Sequence, residues 1–261
     1  MTTLHLAGLT ATAPSGAKIL DDVGFEVRSG EIVGLVGESG SGKSMTSLAL
    51  TGLLPGAITP VAGTASLDGD VFMTDGRVVA RPPISIVFQN AKAALNPTMR
   101  IGNQFTRLLT HLGRRPGTAL TSEIEGLLEQ VGIVDPKRVS RAYPNQLSGG
   151  MNQRVMIALA LASEPKVLIA DEPTTGLDVT VQAQILQLLK TTTANSNRGV
   201  LLITHDLGVV AQMCSRVVVM LKGRIVEIND VDAIFHGADH PYTRELVAAA
   251  EGTGTTKGAH A

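Results

Sequence analysis

The sequence predicts an α/β fold: a parallel-sheet core with helices packed on it, an antiparallel β subdomain and a helical insert. Three observations lead there. In the second half, short apolar runs alternate with helix-length segments, 167-VLIA-170, 200-VLLI-203 and 217-VVVML-221 being the runs, and such alternation implies parallel strands joined by helices. Around 61-VAGTASLDGDVFMTDGRVVA-80, β-branched runs flank Asp75-Gly76, a two-residue hairpin signal. Between 101 and 142, apolar residues recur at helical spacing, as at Ile124, Leu127, Leu128 and Val131.

Taken in order, residues 4 to 36 read as strands: LHLAGLTAT, then 23-VGFEV-27, then 31-EIVGLVG-37, whose apolar run ends on a glycine loop and marks a buried strand. A helix is expected from Ser44 to Leu54, with Leu48, Leu50, Leu53 and Leu54 on its apolar side and 55-PG-56 as its stop. The antiparallel segment follows. The insert spans about 90–160, and within it Ser122 and Glu125 have capping-box spacing. A helix from about Val179 to Ala194, a short helix after 200-VLLI-203, an edge hairpin at Lys222-Gly223 with 225-IVEI-228, and a last helix in 239-DHPYTRELVAAA-250 complete the core. Residues 1–250 are thus expected to form one domain. The tail 251-EGTGTTKGAHA-261 has nothing to bury and is expected to be disordered.

Composition narrows the partners. With 261 residues and 44% hydrophobic content, the chain supports one core and a small subdomain. Net charge is −1 and neither sign forms a long run, so no nucleic-acid footprint is expected. Cys214 has no cysteine to pair with, and MTTLHLAGLT lacks the basic and apolar regions of a signal peptide; a cytoplasmic protein is the expectation. The longest apolar run, 155-VMIALALA-162, is well short of the roughly 20 residues that span a bilayer. Any link to a membrane is therefore expected to go through another protein.

The chemistry starts at 37-GESGSGKS-44, which satisfies GxxxxGK[ST] between a predicted strand and a predicted helix. Gly37, Glu38, Ser39, Gly40, Ser41 and Gly42 form a loop whose backbone N–H groups turn toward phosphate oxygens. Lys43 reaches the β- and γ-phosphates of ATP, and Ser44 can ligate Mg²⁺. The core is accordingly read as a P-loop NTPase.

A second apolar strand ends in two carboxylates, 167-VLIADE-172. Alone, such a pair marks a helix-capping turn; downstream of a phosphate loop, Asp171 is placed to hold the Mg²⁺ shell and Glu172 to polarise a water for in-line attack. His205 closes another strand, at the edge where doubly wound sheets gather ligands, and reads as a γ-phosphate contact. Gln89, after 84-ISIVF-88, offers an amide to both Mg²⁺ and the attacking water. A serine and two glycines at the mouth of a predicted helix, in 147-LSGGMNQRVMIALAL-161, make a second candidate anion site.

The spacing of LSGGM, Gln89, 171-DEP-173, 176-GLD-178 and His205 resembles the ATP-binding-cassette (ABC) ATPases over nearly the whole chain. The resemblance implies that two chains sandwich two ATP molecules head to tail. Ser148, Gly149 and Gly150 would then close over the γ-phosphate of the facing subunit, with Asp178 reporting between the sites. Further segments, 95-LNP-97, 143-YPNQLSGGM-151, 153-QRVMIALAL-161, 173-PTTGLDVTVQAQIL-186, 203-ITHDLGVVA-211 and 240-HPYT-243, look like the peptide and nickel importer group. That group pairs two different ATPase subunits with two membrane permeases and an extracytoplasmic substrate-binding protein, the ATPases lying on the cytoplasmic face of the inner membrane. LSGGM is commoner in one of the two ATPases, which implies a non-identical paralogue as partner, with a homodimer as the other arrangement. The chain stops 18 residues after Thr243, which within the group points to the shorter nickel or metal-chelate type.

Two departures stand out. The family stacks adenine on an early aromatic residue, whereas the aligned position is Ala13 and no aromatic residue precedes Phe25. After Gln89 the family often has an acidic residue and proline in the loop facing the permease; here stand Asn90 and Ala91. A cassette serving a soluble assembly, such as the phosphonate C-P lyase machinery, is the competing reading, since its ATPases share SGGM and HPYT features. A plain P-loop kinase leaves LSGGM and His205 without a role.

Overall fold

The computed structural model describes residues 3–196 and 198–254. Strands β1 (Thr3–Thr12), β2 (Lys18–Arg28) and β3 (Ile32–Val36) precede helix α1 (Lys43–Leu50), and strands β4 (Thr59–Leu67), β5 (Asp70–Thr74), β6 (Arg77–Val78) and β7 (Ile84–Val87) follow it. Helices α2 (Ala91–Ala94), α3 (Ile101–His111), α4 (Thr118–Gln130), α5 (Pro136–Arg141) and α6 (Gly149–Leu161) come next. The chain then alternates through β8 (Val167–Asp171), α7 (Val179–Ser196), β9 (Gly199–Ile203), α8 (Leu207–Met213) and β10 (Arg216–Leu221). It closes with β11 (Arg224–Asp230), α9 (Val231–Gly237) and α10 (Pro241–Gly254). Two compact units result. One holds the chain up to Pro82 and again from Thr193; the other is Pro83–Thr192.

The first unit carries the antiparallel sheet in the order β2-β1-β4-β5-β6. In β1, Leu4, Leu6, Leu9 and Ala11 are buried. The alternation slips between Leu6 and Leu9, where the register shifts and Gly8 takes a positive φ, so a bulge lets both ends of the strand face one core. Asp75-Gly76 makes the expected two-residue turn, both residues at positive φ. Asp68-Gly69 makes another between β4 and β5 that the reading of the sequence passed over, although its dipeptide carries the same signal.

The same unit holds parallel β10, β3 and β9, with β11 antiparallel at the edge. All five residues of β3 and of β9 are buried, as the continuous apolar runs require. Val36, Leu207, Val210, Val217, Val219, Ile234, Tyr242 and Val247 form a core cluster. Cys214 packs against it, and burial pushes its thiol up to about 12, so it stays protonated.

Several boundaries differ from expectation. Helix α1 ends at Leu50 rather than Leu54, because Gly52 (φ +71°) lets Leu53 N–H reach Leu48 O (2.7 Å) and Gly52 N–H reach Ala49 O (3.1 Å). This is a Schellman stop, ahead of 55-PG-56. Ser122 caps nothing: α4 begins at Thr118, after Gly117, and its buried face is Leu120, Ile124 and Leu128. Helix α9 was not anticipated, and α10 runs four residues into the segment expected to be disordered; 255–261 lie outside the described residues.

In the second unit β7 and β8 pair in parallel, Ile84 opposite Val167 and Val87 opposite Ala170. Helices α2 to α6 fill the stretch where the insert was expected. Ile101, Phe105 and Leu109 of α3 are buried, as are Leu128 of α4, Val139 of α5 and Val155 and Ile157 of α6. Among the described residues, no helix is long and apolar enough to cross a membrane.

Candidate functional site

The loop 37–44 joins β3 to α1 in the first unit, and backbone sterics dictate its shape. A Cβ on Gly37 (φ +148°) would lie 2.1 Å from Met220 O, and one on Gly42 (φ +108°) 2.9 Å from Leu20 Cδ2. Gly40 (φ +80°) faces open space, so its glycine is required by conformation alone. Ser41 O accepts from Gly223 N–H (2.9 Å), tying the loop to the turn between β10 and β11. Gly42 is the N-cap residue of α1 and has no side chain to offer, leaving the first-turn N–H groups directed at the loop.

Lys43 is 6% exposed. Its Nζ donates to Gly37 O (2.7 Å), Glu38 O (2.8 Å) and Ser41 Oγ (3.4 Å). A buried cation is thereby held by neutral oxygens at the mouth of a helix whose first turn contains no acid. Backbone, dipole and one charge in this arrangement suit an anion.

Strands β3 and β9 run parallel, Leu35 opposite Ile203. The loop after β3 and the residues after β9 therefore leave the sheet at the same end. His205 stands there, exposed, between Thr204, whose N–H donates to Leu35 O (3.3 Å), and Asp206, which caps α8. Ala13 lies in the β1–β2 turn, where its N–H donates to Ala17 O (2.9 Å).

In the second unit the parallel pair β7 and β8 likewise delivers its side chains to one end. Gln89 Nε2 donates to Glu172 Oε2 at 2.8 Å, and Thr175 Oγ1 donates to the same oxygen at 2.9 Å. Asp171, the last residue of β8, is 7% exposed. Glu172 takes a positive φ of 45°, a conformation uncommon for a residue with a Cβ, and it turns the carboxylate out of the strand direction. Asn90, where the family often has an acid, caps α2 by accepting from Ala93 N–H (3.0 Å).

Ser148 is the N-cap of α6, its Oγ accepting from Met151 N–H at 3.3 Å. Gly150 also has a packing reason: a Cβ there would meet Val181 Cγ1 of α7 at 2.6 Å, while one on Gly149 would meet only Leu177 Cδ2 at 3.6 Å. Asp178 immediately precedes α7, its Oδ1 accepting from Val181 N–H (2.9 Å).

The anticipated residues divide between the two units, and Gln89 and Glu172 are brought into direct contact across separate elements. Lys43, the loop and His205 are in the first; Gln89, Asp171, Glu172, Ser148, Gly149, Gly150 and Asp178 are in the second. Two contributors escaped the sequence reading. Asn152 is 1% exposed, and its Nδ2 lies within hydrogen-bonding reach of Pro144 O (3.0 Å), Ser148 O (3.2 Å) and Leu147 O (3.3 Å), so it staples the segment leading into Ser148. A polar residue one step inside an apolar helix was the available signal. Tyr242, quoted within HPYT only as a resemblance, accepts from Glu38 N–H at 2.9 Å.

The model of the ABC transporter family matches residues 20–175. The chain is 47% identical over 234 residues to the oligopeptide transport ATP-binding protein OppD of Lactococcus lactis subsp. cremoris (strain SK11), covering 88% of this chain and 69% of that protein. It is 44% identical over 239 residues to the dipeptide transport ATP-binding protein DppD of Escherichia coli (strain K12), covering 89% and 72%. Among solved structures, it resembles a dimeric ATP-binding cassette in a post-hydrolysis state bound to ADP and phosphate. There the TM-score is 0.74 at 28% identity, over 87% of this chain and 98% of that one. It also resembles cbiO1 from Clostridium perfringens, with TM-score 0.73 and 26% identity over 97% and 98%.

Proposed function

Because the chain belongs to the ABC transporter family, we propose that it is the ATP-hydrolysing subunit of an importer for di- or oligopeptides. It works with a second, related ATPase chain, two membrane permeases and an extracytoplasmic substrate-binding protein, and docks on the cytoplasmic face of the membrane. The peptide class rests on the names of the relatives, and they favour it over the nickel-chelate class.

The carrying observation is the Glu172 carboxylate, held by Gln89 and Thr175 at the end of β8. Both donors bond Oε2 and fix the carboxylate, and Glu172 acts as the base that orients the attacking water. The loop 37–44 binds the phosphates through its backbone N–H groups, with Lys43 on the β- and γ-phosphates. His205 contacts the γ-phosphate. Ser44, Gln89 and Asp171 each carry an oxygen donor of the kind that suits Mg²⁺; held by such donors, the ion would neutralise charge developing on the phosphate oxygens. Ser148, Gly149 and Gly150 complete the site of the facing subunit, and Asp178 stands between the two sites. ATP closes the pair, hydrolysis reopens it, and the permeases follow through the segment after Gln89.

The test is Glu172→Gln in the assembled transporter. ATP binding is expected to stay within about twofold, while turnover falls by about 100-fold or more. Unchanged turnover would remove Glu172 from the mechanism. Co-purification of the tagged chain in gentle detergent with multi-span permeases and a second cassette protein supports the importer. Recovery with soluble enzymes alone would replace it by the soluble-assembly reading.

A further inference from the structure

The Tyr242 contact joins two parts of the chain that are 204 residues apart in sequence. The peptide bond between Gly37 and Glu38 is engaged at both of its ends. Its N–H donates to Tyr242 Oη at 2.9 Å, and its C=O accepts from Lys43 Nζ at 2.7 Å. An amide plane is rigid, so whatever fixes the N–H direction also fixes where the carbonyl points. Gly37, at positive φ with no room for a side chain, supplies little restraint of its own.

Tyr242 is itself well anchored. Its ring is 8% exposed and belongs to the core cluster that includes Val36, the residue before the loop. The backbone around it is clamped: Glu227 of β11 accepts from Asp239 N–H (2.9 Å) and His240 N–H (3.0 Å) through its two oxygens. Arg244 Nη1 donates to Ala238 O (2.9 Å) and Asp239 O (2.8 Å). Burial, with the Glu38 charge adding to it, keeps the phenol above its ordinary pKa and therefore neutral.

We infer that Tyr242 is a positioning residue for the phosphate-binding lysine: its phenolic oxygen locks the Gly37–Glu38 peptide plane, and that plane aims the Lys43 ammonium. The inference rests on the ATPase reading, since it is the phosphates of ATP that Lys43 addresses. The chain Tyr242, peptide, Lys43 polarises in one direction, which makes the first peptide of the loop a seat for the ammonium.

The experiment is Tyr242→Phe in the full-length chain, which deletes the oxygen and keeps the ring. ATP and ADP affinity are measured by calorimetry, and the Glu38 amide is followed by NMR. The expected result is affinity for both nucleotides weakened about tenfold, an upfield move of the Glu38 amide proton, and a Tm within about 2 °C of the parent. Unchanged affinity overturns the proposal. So does a Tm drop of more than about 5 °C, because the loss would then be one of packing. Lys43→Ala, run alongside, separates the two levels: if it binds ATP like the parent, the ATPase reading fails whatever Tyr242→Phe does.

Discussion

The loop after β3 and the carboxylate after β8 occupy equivalent positions, each at the C-terminal end of a buried parallel strand, yet they are held in opposite ways. The loop is made of backbone: glycines that admit no Cβ, a lysine 6% exposed among carbonyls, and contacts from β2, β10 and the turn at Lys222-Gly223. The carboxylate is made of side chains, with Gln89 and Thr175 on one oxygen of a half-buried Glu172 and both donors exposed. On the proposed reading, phosphate recognition belongs to the fold and water activation is set upon it. Substitutions in the loop should therefore cost structure and function together, while those around Glu172 and Ser148 should cost function alone.

The widest separation is expected between two glycines. Gly37→Ala drives a Cβ to 2.1 Å from the Met220 carbonyl, a backbone atom that cannot swing aside. Stability should drop by about 3 kcal/mol or more, and ATP binding should vanish with it. Gly149→Ala meets only Leu177 Cδ2 at 3.6 Å and should leave stability within about 1 kcal/mol. If Gly149 closes over the ATP of a facing subunit, the same variant should lose most of the assembled transporter's ATPase activity. Thermal melts and turnover on both variants decide the matter; a folded, ATP-binding Gly37→Ala protein would break the contrast.

A narrower test concerns Thr175→Val. It removes one of two hydrogen bonds to Glu172 Oε2 at an exposed position and leaves Gln89 in place. We expect kcat to fall about 3- to 10-fold, as for one ordinary hydrogen bond of about 1 kcal/mol at an exposed site, with KM for ATP and Tm unchanged. A change in KM instead would mean that Thr175 acts on nucleotide binding rather than on the base.

The same contrast explains what could be read in advance. GxxxxGK[ST] was legible because a backbone-built site needs particular residues at fixed offsets, and the buried runs before Gly37 and after Lys166 placed it on a sheet. Turns at Asp75-Gly76 and Lys222-Gly223 were legible for the same local reason. Helix ends were less so: Gly52 was passed over as a stop because 55-PG-56 offered a stronger signal, and Ser122 matched a cap pattern inside a helix whose start is Gly117. Contacts made between distant residues left no local trace. Nothing near Glu38 announces Tyr242, 204 residues away. Helix α9, only seven residues long, is too short for its apolar period to register.

The mildest effect should come from Glu227, which ties the backbone-built region to the segment bearing Tyr242. Burial alone would raise its carboxyl, but the neighbouring Thr243 side chain, the hydrogen bonds from the N–H groups of Asp239 and His240, and the His240 charge hold it below its ordinary value of 4.5. A carboxylate depressed in the folded state contributes stability that is fully present above its unfolded pKa and is lost as pH falls through the folded one. The parent should thus be more stable than Glu227→Gln at pH 7, by about 3 °C in Tm, and the gap should close as pH drops below about 4.5. In Glu227→Gln the single amide oxygen can still receive the Asp239 or the His240 N–H group, which keeps the effect small. A Tm gap that stayed constant from pH 7 to pH 3 would show that the Glu227 charge does not anchor the segment, and that the Tyr242 backbone is held by Arg244 and the core cluster instead.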